Sequence, residues 1–202
     1  MKNPAAARLP SPRRGGGFTL VEMMVTIALV AVLLGLATPS FITARRNAEL
    51  TSTANEFLSA LSAARAEAMK RQLRAFVVPT DGANWNSGWI AFVDVNSNAT
   101  AGSITMEDGT DFEIVRHAAL PSSLSTPLSG GVTNFVSGGT PYAMFNGSGF
   151  MVLLGGAFPA GGVHAIDIYN GADTRRIIAN TTGRMRVCKP DAVTCSAVAA
   201  GF

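Results

Sequence analysis

The sequence predicts an α+β fold: a long N-terminal helix, transmembrane in its first half, packed on an antiparallel β-sheet head. Three observations predict it. Residues 18–38 form a run of Leu, Val, Ile, Ala and Met broken by one ionisable residue, Glu22; as a helix it spans roughly 31 Å, about one hydrocarbon thickness. Leu50, Ala54, Phe57, Leu61, Ala64 and Ala68 then recur at spacings of 4, 3, 4, 3 and 4, the apolar stripe of an amphipathic helix. Beyond Arg74 the pattern changes to short apolar runs separated by Asp-Gly and Asn-Ser-Gly turns, the signature of hairpin-connected strands.

Composition narrows the function. Of the 202 residues, 48% are apolar and only 14% charged, which excludes a disordered polyelectrolyte. Two Cys and two His are too few for a zinc site or a framework of several disulfides. The formal charge of +3 is unevenly placed, because Lys2, Arg8, Arg13 and Arg14 precede residue 18 and no acid does. Without that leader, 12 bases face 13 acids, a net −1. Any nucleic-acid contact must therefore come from a local patch.

The N-terminus is a basic leader, then Gly15-Gly16-Gly17, then the apolar run. Bases before the run place the leader in the cytoplasm and the remainder outside. A cleaved secretory signal has a weak small-residue site at Gly35-Leu36-Ala37, and Arg13-Arg14 suggests a twin-arginine signal, but a carboxylate inside the apolar segment fits neither well. The stretch Gly17-Phe18-Thr19-Leu20-Val21-Glu22 resembles the processing site of type IV pilins and type II secretion pseudopilins. That resemblance implies cleavage after Gly17 by a prepilin peptidase, methylation of Phe18 and retention of Glu22, and Pro39 matches the family's helix break. Glu22 also has a physical rationale. A carboxylate in a membrane helix costs about 2.5–3.5 kcal/mol at the centre, and cleavage would create an α-amino group four residues away and on every neighbouring subunit. Solvation at the interface is the alternative.

After Pro39, which lacks a backbone donor and should kink or break the helix, residues 39–74 form the amphipathic second half. Glu67 and Arg71 are an i, i+4 pair. Arg65, Lys70, Arg71 and Arg74 read as a basic helix end that complements the dipole and is otherwise solvated. In residues 75–202, the β-rich globular head, strands are expected at 75–78, 89–95, 112–115, 133–136, 142–145, 150–154 and 165–169, followed by a hairpin from Arg175. Residues 130–162 hold ten of the 21 Gly. Phe145-Asn146-Gly147-Ser148-Gly149 and the stretch from Arg175-Arg176-Ile177-Ile178 to Gly183-Arg184-Met185-Arg186-Val187-Cys188 resemble segments of the GspH/FimT family of minor pseudopilins, so the resemblance covers most of residues 14–190.

No catalytic, metal or cofactor constellation is visible. His117 and His164 lack neighbours at ligand spacing, Gly147-Ser148-Gly149 lacks the Gly of a nucleophile elbow, and no P-loop is present. A structural or binding protein is expected rather than an enzyme. Cys188 and Cys195 enclose six residues, and in an oxidising periplasm a disulfide is natural; two free thiols are the alternative.

The last hairpin is the most informative part of the head. Between Thr174 and Pro190 lie Arg175, Arg176, Arg184, Arg186 and Lys189 and no acid. A three-residue loop Thr181-Thr182-Gly183, with Gly183 in the left-handed region, would set Ala179 opposite Met185, Ile178 opposite Arg186, Ile177 opposite Val187 and Arg176 opposite Cys188. Ile177, Ala179, Met185 and Val187 would then face the core, and Arg176, Arg184 and Arg186 the other side. In the FimT branch a Gly-Arg-x-Arg pattern here is associated with DNA binding in natural transformation, and Gly183-Arg184-Met185-Arg186 matches it. The resemblance thus implies DNA contact through Arg176, Gly183, Arg184, Arg186 and Lys189, with a solvated or filament-contact face as the alternative. It further implies a single-pass protein of the bacterial inner membrane with its head in the periplasm, whose partners are a prepilin peptidase, other pilins or pseudopilins in a filament, and DNA. A type II secretion pseudopilin acting by protein contact alone is the rival.

Overall fold

The computed structural model describes residues 17–127, 135–159, 163–191 and 195, the side chains of residues 36–39 and 163 excepted. The chain divides into two compact units, Met1–Thr43 and Ala44–Phe202. One helix, α1 (Leu20–Arg71), contributes to both. Thr19 caps its start, its Oγ1 accepting the N–H of Glu22 at 3.2 Å, so Glu22 stands in the first turn where a carboxylate suits the helix dipole. In the first unit the apolar side chains, among them Phe18, Leu20, Val21, Leu29, Leu33 and Phe41, are exposed. Pro39 does not terminate α1, but the helix bends by 41° between Leu20–Gly35 and Ser40–Arg71, where the sequence led us to expect a kink or break. No single described helix is long and apolar enough to cross a membrane; Leu20–Gly35 and Ser40–Arg71 meet that requirement only as a pair.

In the second unit the expected stripe of α1 is the spine of the core. Leu50, Ala54, Phe57, Leu61, Ala64 and Ala68 are all at most 1% exposed. The helix ends by a left-handed residue, Gln72 (φ 57°), with the Leu73 N–H donated to the Ala68 carbonyl at 3.2 Å. This closure satisfies an otherwise orphaned carbonyl and turns the chain straight into the first strand.

The strands are β1 (Arg74–Pro79), β2 (Trp89–Asp94), β3 (Phe112–His117), β4 (Val136–Ser137), β5 (Thr140–Pro141), β6 (Ala143–Phe145), β7 (Val163–Tyr169), β8 (Thr174–Asn180) and β9 (Met185–Cys188). The principal sheet has the order β3-β2-β1-β6 and is antiparallel. Strands β1 and β2 are buried on both faces, which is why they read as continuous apolar runs. Ala75, Val77, Trp89, Ala91, Val93, Ala143 and Phe145 share the α1 core. Phe76, Val78, Ile90, Phe92 and Met144 form a second cluster with Ala99, Ile104, Tyr142 and Val152. Phe57 centres the main core, its ring edge-on to Trp85 and Trp89 at 5.3 and 5.0 Å, a geometry favoured by the aromatic quadrupole.

β4 and β5 make a two-residue hairpin across Gly138 and Gly139, and residues 133–134 of the strand expected at 133–136 lie outside the described residues. The strand expected at 150–154 is not formed. Met151 makes an isolated bridge to Phe145, because its N–H goes to the Thr181 carbonyl (3.0 Å) while Val152 donates to Met144 (3.1 Å). The second sheet, β7-β8-β9, is antiparallel. Ile166, Ile168, Ile177 and Ala179 enter the main core.

Candidate nucleic-acid interface

The β8–β9 hairpin has the expected register: Ala179 opposite Met185, Ile178 opposite Arg186, Ile177 opposite Val187, Arg176 opposite Cys188. The turn is closed by Gly183 N–H to Asn180 O (2.9 Å) and Asn180 N–H to Arg184 O (3.0 Å). The Asn180 amide oxygen also accepts the Arg184 N–H (2.9 Å) and the Thr182 hydroxyl (2.8 Å). Ile177 and Ala179 are core residues, and Met185 and Val187 pack against them. This leaves Arg176, Arg184 and Arg186 on the opposite side.

Gly183 (φ 76°) has a structural reason to be glycine. A Cβ there would overlap the Gly149 carbonyl and the side chain of Arg65. Arg65, on α1, ties two turns together: its Nε donates to Gly149 O at 2.9 Å and its Nη2 to Thr182 O at 3.1 Å. Gly147 is similarly fitted, since a Cβ would sit 2.9 Å from the Gln72 carbonyl carbon at the helix end. The Asn146–Gly149 turn, the hairpin tip and the last turns of α1 therefore form one junction.

Of the four basic residues at that helix end, Lys70 and Arg71 stand exposed in the last turn, as expected, whereas Arg65 and Arg74 are bound into the fold. Arg65 is the clamp just described. Lys70 and Arg71 both bond Glu67 (3.0 and 2.7 Å), which holds the Glu67 carboxyl below its usual pKa through the hydrogen bond from Arg71 and then that from Lys70. Arg71 also lies 3.7 Å over the Phe112 ring. Arg74 pairs with the buried Asp94 at 2.6 Å.

The five residues assigned to DNA contact are in different situations. Arg184 and Lys189 are exposed, and Arg186 is half-buried. Lys189 shares a hollow of about 230 Å³ with Asp173 and Asp191, so its field is tempered. Gly183 is buried in the junction. Arg176 departs from the expected stripe. Its Nε and Nη2 make a two-pronged bond to Asp167 Oδ1 and Oδ2, both at 2.7 Å, with the side chains only 16% and 8% exposed. The hydrogen bonds it donates to Asp167 raise the Arg176 pKa further above its already high value, so this guanidinium is held by a carboxylate rather than offered to a phosphate. The outer face is also partly covered. Cys188 and Cys195 are disulfide-bonded with Cα atoms 5.7 Å apart, and Cys195 is fully buried with Ala165 and Ile178.

Sequence reasoning missed Asp167 and Arg65. An acid inside the apolar run Ala165-Ile166-Asp167-Ile168-Tyr169 was a usable signal, because a carboxylate there needs a partner. Arg65 left no comparable trace, since it bonds backbone carbonyls that any sequence supplies. His117 and His164 serve packing. His117 stacks on Trp89 at 3.9 Å with its Nε2 2.8 Å from Glu56, and His164 stacks on Phe135. Burial lowers the pKa of His164 to about 4. Among the described residues no three His, Cys, Asp or Glu side chains gather as a metal site.

Residues 53–183 match the family model for the type II transport protein GspH, well over half the chain. This protein belongs to the GspH family. Residues 12–38 match the prokaryotic N-terminal methylation motif, which contains Gly17, Phe18 and Glu22. The family's fold agrees: the structure is similar to the type IV minor pilin FimU of Pseudomonas aeruginosa, with TM-score 0.51 and 17% identity over 74% of this chain and 97% of that one. The minor pseudopilin EpsH from the Type 2 Secretion System of Vibrio cholerae has TM-score 0.44 and 13% identity over 71% of this chain and 99% of that one. No curated protein matches the chain. For this GspH-family member, a pilin-like architecture of one long helix on antiparallel sheets is thus established, with a structural role as a minor pilin or pseudopilin.

Proposed function

We propose that the protein is cleaved after Gly17, methylated at Phe18, anchored in the inner membrane with its head in the periplasm, and built into a type IV pilus-like filament where its hairpin tip contacts DNA. One observation supports the DNA reading above the rest: Arg184, exposed, follows a glycine locked into the Arg65 junction, so a guanidinium stands at a rigid turn. A planar fork on a fixed support suits phosphate oxygens, and its contribution is independent of base sequence. In this reading the Glu22 carboxylate complements the first turn of α1 and meets the methylated amine of a neighbouring subunit.

Two measurements test it. The mature chain should begin at Phe18 and carry one extra methyl group by mass spectrometry; an N-terminus near Thr38 would refute the pilin reading. The purified chain should bind DNA with a salt-sensitive affinity that Arg184→Gln together with Arg186→Gln largely removes. A second reading, a type II secretion pseudopilin working by protein contact alone, is favoured by the Arg176–Asp167 pair, which narrows the basic surface. It predicts that the double variant leaves filament incorporation and protein export as the only functions to assay, with no DNA binding in the parent.

A further inference from the structure

The basic hairpin tip has an apolar neighbour that neither reading uses. Phe150 and Phe158 are 41% and 58% exposed, and their rings meet edge-on with centroids 6.4 Å apart. Phenylalanine is seldom left in water without a use when a second exposed ring stands beside it. The pair is held rather than loosely attached. The Asn146 side chain accepts the Phe150 N–H (3.0 Å), and a tight turn returns the chain toward Phe158, with Leu153 N–H bonding Ala157 O and Gly156 N–H bonding Leu153 O, both at 2.7 Å.

Phe150 also lies directly beside the arginine-bearing tip. The residue before it, Gly149, gives its carbonyl to Arg65 and would clash with any Cβ on Gly183. The residue after it, Met151, donates to Thr181. Both neighbours of Phe150 are thus seated on the turn from which Arg184 emerges. An exposed ring on a segment seated against an arginine-bearing turn is the combination that holds a strand with unstacked bases: the cation takes the phosphate and the ring takes the base. Duplex DNA, whose bases are already stacked on each other, gains nothing from the rings.

We propose that Phe150, Phe158 and Arg184 form a stacking-and-charge site for single-stranded DNA. The inference rests on the reading of the hairpin tip as a DNA contact. The test uses the full-length chain in a neutral detergent and fluorescence anisotropy with labelled oligo-dT and with a mixed-sequence duplex of equal length. The parent should prefer the single strand. Phe150→Leu and Phe158→Leu, which keep apolar bulk and remove the ring, should weaken single-strand binding by at least about fivefold and leave duplex binding within twofold. Arg184→Gln should weaken both. If the parent binds duplex as well as or better than oligo-dT, or if the Leu variants bind oligo-dT like the parent, the stacking site is refuted while the DNA reading survives. If the parent binds neither, both fall. Loss of filament incorporation in the Leu variants with unchanged oligo-dT binding would assign the rings to a neighbouring subunit instead.

Discussion

Arg176, Arg184 and Arg186 lie on one face of the hairpin yet are unequal, and that inequality is measurable. Arg176 is bound to Asp167 by two 2.7 Å hydrogen bonds, whereas Arg184 is exposed. If Arg184, Arg186 and Lys189 each neutralise a phosphate, about three counterions are released, and the slope of log K against log salt on duplex DNA should be about −2.7. Raising salt from about 50 to about 200 mM would then weaken binding roughly 40-fold. Arg184→Gln should bring the slope to about −1.8 and the same salt change to a roughly 12-fold loss. Arg176→Gln should leave the slope where it was. It should instead destabilise the fold by about 3 kcal/mol or more, because the Asp167 carboxylate, 8% exposed, loses its partner. Fluorescence anisotropy across a salt series reads the slope, and urea unfolding monitored by circular dichroism reads the stability. A fall in slope for Arg176→Gln equal to that for Arg184→Gln, with unchanged stability, would refute the assignment of Arg176 to Asp167.

Three further outcomes follow from other parts of the head. His164, 6% exposed, has its pKa lowered by burial to about 4; the unfolded chain protonates near pH 6.5, so stability is full above that pH, falls as pH drops toward 4 and then levels. The loss is at most about 3 kcal/mol, and His164→Gln should flatten that interval in a pH series of urea titrations. Gly183→Ala should cost about 2 kcal/mol or more, since it adds a Cβ at a left-handed residue and presses it onto Gly149 and Arg65; thermal unfolding unchanged from the parent would contradict the junction. Replacing Cys188 and Cys195 together by Ser should cost about 2.5 kcal/mol for so short a loop and open Ile178 and Ala165 to solvent, read as increased binding of a hydrophobic dye.

Much of the head was legible because its signals are local. The helix stripe from Leu50 to Ala68 depends only on the helical period, and the register from Ala179–Met185 to Arg176–Cys188 depends only on the length of one turn. Strands β1 and β2 announced themselves as apolar runs because both their faces are covered. What escaped was set by residues outside the β8–β9 hairpin. The partner of Arg176 is on β7, and its register against β8 is not dictated by the β8–β9 turn. The cover over Ile178 comes from Cys195, beyond the hairpin. The segment from Phe150 to Leu154 looked like a strand by composition, but its hydrogen bonds go to two different partners. Gly183 was legible as a turn residue and was credited with ligand contact as well; its neighbours explain it by packing alone.

The Arg65 clamp also bears on the order in which the molecule acquires its parts. The β8–β9 hairpin needs only neighbours a few residues apart, so it can close early, with little chain entropy to overcome. Its tip acquires a fixed direction only when Arg65 reaches Gly149 and Thr182, which lie 84 and 117 residues along the chain. Contacts of that separation form once the helix has docked on the sheets. By this argument the hairpin is expected to close before Arg184 is oriented, so that the surface proposed to meet DNA is completed by the same packing that completes the core.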